Sequence, residues 1–148
     1  MPSTHLSLHY HIVFSTKERR EFIAEPWRER LHAYLGGCLR TLHGIPEAIG
    51  GTKDHVHILA GLRATHALAD VIRDIKRPTT EWMHEGAHMP DFRWQDGYGG
   101  FTVSASDIPQ VKAYIAQQDE HHRKKTFQEE YVEFLKANGI EYKEEFLW

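Results

Sequence analysis

The chain has 148 residues, a net charge of −3, 41% hydrophobic and 26% charged side chains, a composition that supports one packed domain over residues 1–148 and excludes wholesale disorder. Its single cysteine, Cys38, excludes an internal disulfide and a cysteine-built zinc cluster. With no apolar N-terminal leader and no apolar run near the roughly 20 residues of a membrane span, a cytoplasmic protein without a membrane partner is expected.

Charge is spread unevenly. Residues 127–148 carry six acidic and two basic side chains, which leaves residues 1–126 at a net charge of +1. A phosphate-binding face is therefore permitted over the body of the chain, although total charge does not announce one. The twelve histidines are the compositional departure.

In chain order, residues 6–14 (LSLHYHIVF) predict a first strand, ended by the polar turn Ser15-Thr16-Lys17. Pro26 opens a helix with apolar positions at Trp27, Leu31, Tyr34, Leu35, Cys38, Leu39 and Leu42, a stripe suited to lying on a sheet. Gly44 and Pro46 stop it. Residues 45–49 predict a second short strand, and the Gly50-Gly51 turn leads into a third around residues 54–60 (DHVHILA). Thr65 is expected to cap a second helix with Leu68, Val71, Ile72 and Ile75 inward. Pro78 is expected to kink or end it, since the ring removes a hydrogen bond and crowds the preceding turn.

Strand pieces are expected at residues 92–95 and 101–104, around Asp96-Gly97-Tyr98-Gly99-Gly100. Those glycines follow no nucleotide-binding spacing and read as a hairpin or bulge. Ser106 and Asp107 offer a cap for a third helix reaching about His122, with Pro109 in its first turn. Thr126-Phe127-Gln128-Glu129 is a capping-box pattern for a fourth, closed by Asn138-Gly139. The apolar tail Phe146-Leu147-Trp148 is suited to docking on the body or on a partner. This order predicts an α+β fold: a ferredoxin-like antiparallel sheet with helices on one face, plus C-terminal helices.

His55 and His57 stand one residue apart on the third strand, so both imidazoles point to one face and Val56 and Ile58 to the other. Two such rings can share a metal ion, with Asp54 beside them to support the ligands. Spacing alone proves little, because twelve histidines in 148 residues give an H-x-H pair about once by accident. His9-Tyr10-His11 has the same spacing on the first strand, where it reads as solvent-facing or edge-filling rings, or as support beside His55 and His57.

His84-Glu85-Gly86-Ala87-His88 satisfies the H-E-x-x-H pattern of zinc peptidases, in which two histidines one helical turn apart bind zinc and the glutamate is the base. That chemistry needs an unbroken helix, and Gly86, Pro90 and Pro78 argue against one. On the third helix, Val111, Ile115 and His122 share a core-facing stripe, while Tyr114, Gln118 and His121 fall in one narrow arc beside it. Alone, that arc is an ordinary helix edge; it gains meaning beside the histidine strand.

Taken together, these pieces resemble the IS200-like (IS200/IS605) single-tyrosine transposases of the HUH nuclease superfamily. The matching residues are Tyr10-His11-Ile12-Val13-Phe14, Asp54-His55-Val56-His57-Ile58-Leu59, Asp74-Ile75-Lys76, Trp94-Gln95-Asp96-Gly97-Tyr98-Gly99 and Tyr114-Ile115-Ala116-Gln117-Gln118, in the family's order. The resemblance implies that His55, His57 and Gln118 are the ligands of a divalent metal, Mg²⁺ or Mn²⁺. It implies that Tyr114 is the nucleophile, forming a 5′-phosphotyrosine and freeing a 3′-hydroxyl. It further implies single-stranded DNA, often beside a hairpin, as substrate, and a homodimer in which the tyrosine helix can complete the partner's site. Pro78-Thr79-Thr80 departs from the small-residue stretch usual there, and the acidic total charge is unusual for a DNA enzyme.

The chemistry is coherent on general grounds. A cation polarises a nonbridging phosphate oxygen and neutralises developing charge. A tyrosine with an ordinary pKa near 10 needs that cation or a base to attack. Three neutral ligands predict a weakly held ion. Candidate phosphate contacts are Lys17, Arg73, Lys76, Arg77, Arg123 and Lys124, joined by Arg19 and Arg20, with Tyr98 able to stack on a base. The expected function is a DNA transposase acting as single-strand endonuclease and strand transferase. The alternatives are a non-catalytic hairpin-binding descendant and a zinc peptidase using His84, Glu85 and His88.

Overall fold

The computed structural model describes residues 2–147. Four strands, β1 (His9–Ser15), β2 (Ile45–Gly51), β3 (His55–Gly61) and β4 (Gly99–Val103), form one sheet in the order β2-β3-β1-β4. Every pairing is antiparallel. Helix α1 (Glu25–Thr41) joins β1 to β2, and α2 (Leu68–Glu85) joins β3 to β4. Three helices follow, α3 (Ile108–Ala116), α4 (Gln118–His121) and α5 (Phe127–Ala137). This is the predicted α+β arrangement with the ferredoxin-like strand order.

Alternation along the two central strands divides the core. Ile12, Phe14, Val56, Ile58 and Ala60 pack with Leu31, Leu35 and Leu39 of α1 and Val71, Ile72 and Ile75 of α2. The opposite face takes the C-terminal helices: Val13 and Phe101 meet Phe127 and Leu135, and Leu59 and Val103 meet Ile115. Leu147 packs against the first of these groups, so the tail docks on the body at that residue; Trp148 lies outside the described residues. No described helix is long and apolar enough to cross a membrane.

The chain differs from its local signals in four places. Helix α2 does not end at Pro78 but runs on to Glu85. The proline costs about 3 kcal/mol in an isolated helix, but the buried stripe Val71, Ile72, Ile75, Thr79 and Met83 spans it. The Thr79 and Thr80 hydroxyls donate to the Ile75 and Lys76 carbonyls at 2.7 and 2.9 Å, knitting the turn around the ring. Ala67 rather than Thr65 precedes this helix. Residues 92–95 make only a single bridge, Thr16 to Trp94, instead of a strand; Phe92 and Trp94 are drawn into the core beside Phe14. The predicted helix to His122 breaks at Gln117 (φ −107°, ψ 25°), which separates α3 from α4.

The capping box is present: Thr126 Oγ1 accepts from the Glu129 backbone N–H at 3.2 Å, and its hydroxyl donates to Glu129 Oε1 at 3.1 Å. Gly139, at φ 65°, closes α5.

Candidate active site

Register on the sheet builds the first half of the site. His57 sits opposite Val13 and His55 opposite Ser15, so both imidazoles project from the face covered by α3, α4 and α5. Both are fully buried. The Gly50-Gly51 pair, expected as a turn, instead ends strand β2 opposite His57 and Val56, and Gly50 seats the second half. A Cβ at Gly50 would stand 2.3 Å from the Ile115 carbonyl oxygen, so only glycine allows the backbone of α3 to press against β2 there. That contact brings Tyr114 and Gln118, flanking Ile115, over the histidines.

Asp54 Oδ1 accepts the His55 Nδ1–H at 2.8 Å, and the Thr52 hydroxyl donates to the same carboxylate oxygen at 3.1 Å. Burial opposes ionisation of Asp54, but these hydrogen bonds and the charge of His55 outweigh it and hold its pKa below the ordinary value. With Nδ1 committed to Asp54, the other ring nitrogen of His55, Nε2, faces Gln118 Oε1 at 3.1 Å. The Gln118 amide nitrogen is turned to the Tyr114 carbonyl at 3.4 Å. A lone pair on His55 Nε2 would leave two electron-pair donors aimed at one another in a buried site, the arrangement that a cation between them reconciles.

Further donors converge there. His57 Nε2–H donates to Glu130 Oε1 at 2.9 Å. His55 Nε2 is 3.7 Å, and His122 Nε2 3.4 Å, from the same oxygen. His122 Nε2 lies 3.2 Å from Gln118 Oε1. Atoms around a small octahedral cation at bond lengths of about 2.1 Å are about 3 Å apart, so His55 Nε2, His122 Nε2, Gln118 Oε1 and Glu130 Oε1 fit a divalent metal, whereas His57 Nε2 reaches this group through Glu130 Oε1. His55, His122 and Glu130 by themselves form a group able to hold a metal ion.

Glu130 is the centre of the constellation and the residue that sequence reasoning missed. It is 4% exposed. Its Oε1 faces His57, His55 and His122, and its Oε2 accepts the Tyr114 hydroxyl. Burial alone would raise its pKa, but hydrogen bonds from His122, His57 and Tyr114 together hold it well below the ordinary carboxylate range. Tyr114 responds in the opposite sense: burial and the adjacent Glu130 charge push the phenol above its ordinary value. His57 is lowered to about 4 by burial, against the pull of Glu130. The set is therefore not made of neutral ligands alone. The overlooked signal was a glutamate three residues after Phe127 and four before Phe134, on the core-facing stripe of α5.

Within one chain, the Tyr114 and His57 ring centroids are 5.7 Å apart, and His121 lies against the other side of Tyr114 at 4.4 Å. His11, from β1, joins this group, its Nε2 2.8 Å from His57 Nδ1, whereas His9 is paired with Glu47 at 2.8 Å.

The candidate phosphate contacts are not gathered in one place. Arg123 lines a groove of about 420 Å³ beside Asp54 and His122, together with Arg19, Arg28 and Lys53, and exposed Lys124 follows it in sequence. Lys17 sits in a separate groove with Arg20 and Arg93. Exposed Arg73 and Arg77 belong to α2, across the sheet, and Arg73 is paired with Asp70 and Asp74. Lys76 donates to the carbonyls of Gln95 and Gly97 at 2.9 and 2.7 Å, tying down the loop before β4.

In the H-E-x-x-H segment, α2 ends at Glu85, and His88 lies beyond it at φ 54°. His84 Nε2 donates to the Phe92 carbonyl at 2.8 Å. The two imidazoles do not share a helical face, which removes the geometry a zinc peptidase requires.

A family model described as "Transposase IS200 like" matches residues 4–118. A solved transposase structure from Deinococcus radiodurans R1 is similar at a TM-score of 0.64 and 22% identity, covering 80% of this chain and 95% of the other. The structure of a REP-associated tyrosine transposase bound to a REP hairpin is similar at a TM-score of 0.62 and 14% identity, covering 82% of this chain and 73% of the other. No curated protein matches the chain significantly. His122 and Glu130 lie past the segment matched by the family.

Proposed function

The chain belongs to the IS200-like transposase family, and from that premise we propose that it cleaves and rejoins single-stranded DNA through a 5′-phosphotyrosine on Tyr114. The observation that carries this reading is the Glu130 carboxylate, which contacts His57 through one oxygen and Tyr114 through the other. A tyrosine, a carboxylate and a set of candidate metal donors thus meet inside one chain, which supports the reading that Tyr114 serves the histidines of its own chain.

His55, His57 and Gln118 would hold the divalent cation, with Glu130 Oε1 and His122 Nε2 as further donors. When bound, the cation supplies charge neutralisation at a nonbridging phosphate oxygen. The chain's own residues do the rest. The buried phenol is protonated at neutral pH; Glu130 Oε2 accepts its hydrogen bond and aims the oxygen, and the proton passes to solvent as the oxygen attacks phosphorus. The Tyr114 Oη–P bond forms, the P–O3′ bond breaks, and the 3′-oxygen leaves as an alkoxide that takes a proton from solvent. Asp54 holds His55 in the tautomer whose Nε2 lone pair faces the donors.

The substrate is a single strand bearing a hairpin, a reading supported by the relative bound to a REP hairpin. Its phosphates run along the groove of Arg28, Lys53 and Arg123 beside the donors, which predicts binding that weakens steeply with salt.

A labelled hairpin-bearing single strand incubated with protein and Mn²⁺ tests the reading. A denaturant-resistant protein–DNA adduct that disappears in Tyr114→Phe is expected. Cleavage that survives Tyr114→Phe overturns the nucleophile. Binding with no adduct in the unaltered protein leaves the non-catalytic hairpin-binding alternative.

A further inference from the structure

His11 belongs to a sequence motif that the proposed chemistry does not use, and its surroundings are specific. It lies on β1 opposite Leu59, a diagonal neighbour of His57 on the same sheet face. Its ring is 4% exposed and packs edge-on against Phe134 at 5.1 Å. An aromatic residue would fill that space equally well. What a plain core residue would not provide is Nε2, held 2.8 Å from His57 Nδ1.

The facing pair His11 Nε2 and His57 Nδ1 holds one proton between two nitrogens, because a hydrogen on each would collide and on neither would leave two lone pairs opposed. Without a cation, the Glu130 carboxylate can only accept, so His57 carries its hydrogen on Nε2 and its Nδ1 must accept from His11. For His57 Nε2 to offer a lone pair to a metal, its hydrogen has to sit on Nδ1 instead. That hydrogen then needs an acceptor, and His11 Nε2 becomes one only if its own hydrogen moves to Nδ1.

We propose that His11 is the positioning residue for His57, an imidazole whose Nε2 donates to His57 in the metal-free site and accepts from it in the loaded site. This rests on the reading of His57 as a ligand. Each ring exchanges one nitrogen-bound proton for the other through solvent or Glu130, with no change in the total, so metal binding and the two tautomers are one coupled equilibrium. A side chain that can both donate and accept from one spot is required; Phe cannot, and Gln can by turning its amide.

Two measurements on the full chain test this. Mn²⁺ affinity is measured by calorimetry for the unaltered protein, His11→Phe and His11→Gln, with thermal melting as the check on folding. Weakening of roughly 10- to 100-fold in His11→Phe, with most of it recovered in His11→Gln, is expected. Equal affinity in a folded His11→Phe overturns the proposal while leaving His57 a ligand; no Mn²⁺ binding by the unaltered protein overturns both. Should His11→Phe not fold, ¹⁵N shifts of the unaltered protein decide. His11 is expected to pass from the Nε2–H to the Nδ1–H form on saturation with Mg²⁺, and an unchanged tautomer overturns the proposal.

Discussion

Tyr114 and Glu130, separated by sixteen residues and a helix break, meet in a hydrogen bond at the floor of a buried cluster of histidines. The same carboxylate contacts His57 with its other oxygen, so one side chain joins the phenol to the candidate metal donors. Removing its charge at constant shape is the most direct probe. Glu130→Gln is expected to keep the fold but lower Mn²⁺ affinity by about tenfold or more, because the site loses its one anionic donor. Glu130→Ala should in addition lower stability by roughly 2 kcal/mol or more, since hydrogen bonds from His57, His122 and Tyr114 lose their acceptor. Calorimetric titration and urea unfolding separate the two effects.

Gly50 governs how closely α3 approaches the sheet. In Gly50→Ala the new methyl group meets the Ile115 carbonyl, and α3 must withdraw with Tyr114 and Gln118. Metal affinity and adduct formation are both expected to fall, with a stability loss of about 1–3 kcal/mol from overpacking. Gly37 is the control: a Cβ there meets nothing within 4 Å inside α1, so Gly37→Ala should raise stability by about 0.5–1 kcal/mol. Unchanged metal affinity in Gly50→Ala would show that α3 is not seated by this contact.

Pro78 is embedded in a helix that tertiary contacts keep continuous. Pro78→Ala restores a backbone donor and removes the crowding of the ring, and it should stabilise the protein by about 1–2 kcal/mol after allowing for the freer unfolded chain. Urea midpoints at constant m-value measure this. A destabilised variant would mean that the proline ring itself fills a required space on α2.

His32 gives a pH signature away from the metal donors. Burial, with the neighbouring Arg28 charge, lowers its pKa to about 4, and its Nε2 is buried with no hydrogen-bond partner among the described residues. The folded pKa lies below the unfolded value of about 6.5, so between these values the unfolded chain binds the extra proton. Stability therefore rises with pH across roughly pH 4 to 6.5 and is flat above it. His32→Leu should reduce that slope by its own share while the like contribution of buried His57 remains, read from urea unfolding at pH 5 and pH 7.5, and an unchanged slope would assign the acid sensitivity elsewhere.

Much of the fold was legible because it rests on local periodicity. The α1 stripe, the capping box at Thr126 and the shared face of His55 and His57 are each set by residues within a few positions of one another. The misreadings are instructive for the opposite reason. Local signals stop α2 at Pro78 and carry the third helix past Gln117, yet the first is overridden by a buried stripe and the second yields where Gln118 turns inward toward His55. Among the candidate phosphate contacts, Lys76 read as a free cation until its carbonyl partners at Gln95 and Gly97 were seen. Glu130 was one of six acidic residues near the C-terminal end, indistinguishable by composition from solvated ones; its position on the α5 stripe was the only hint.

The sequence by itself determined that two imidazoles leave one face of one strand, and that a phenol and an amide lie near each other on a later helix. Alternation in a strand and the turn of a helix follow from backbone geometry and need no partner. Only the tertiary structure decided that these groups come together within one chain and that His11 and Glu130 bracket His57. Those relations join residues from β1, β3, α3 and α5, and they depend on how closely the helices pack on the sheet, which the Gly50 contact and the shared core control.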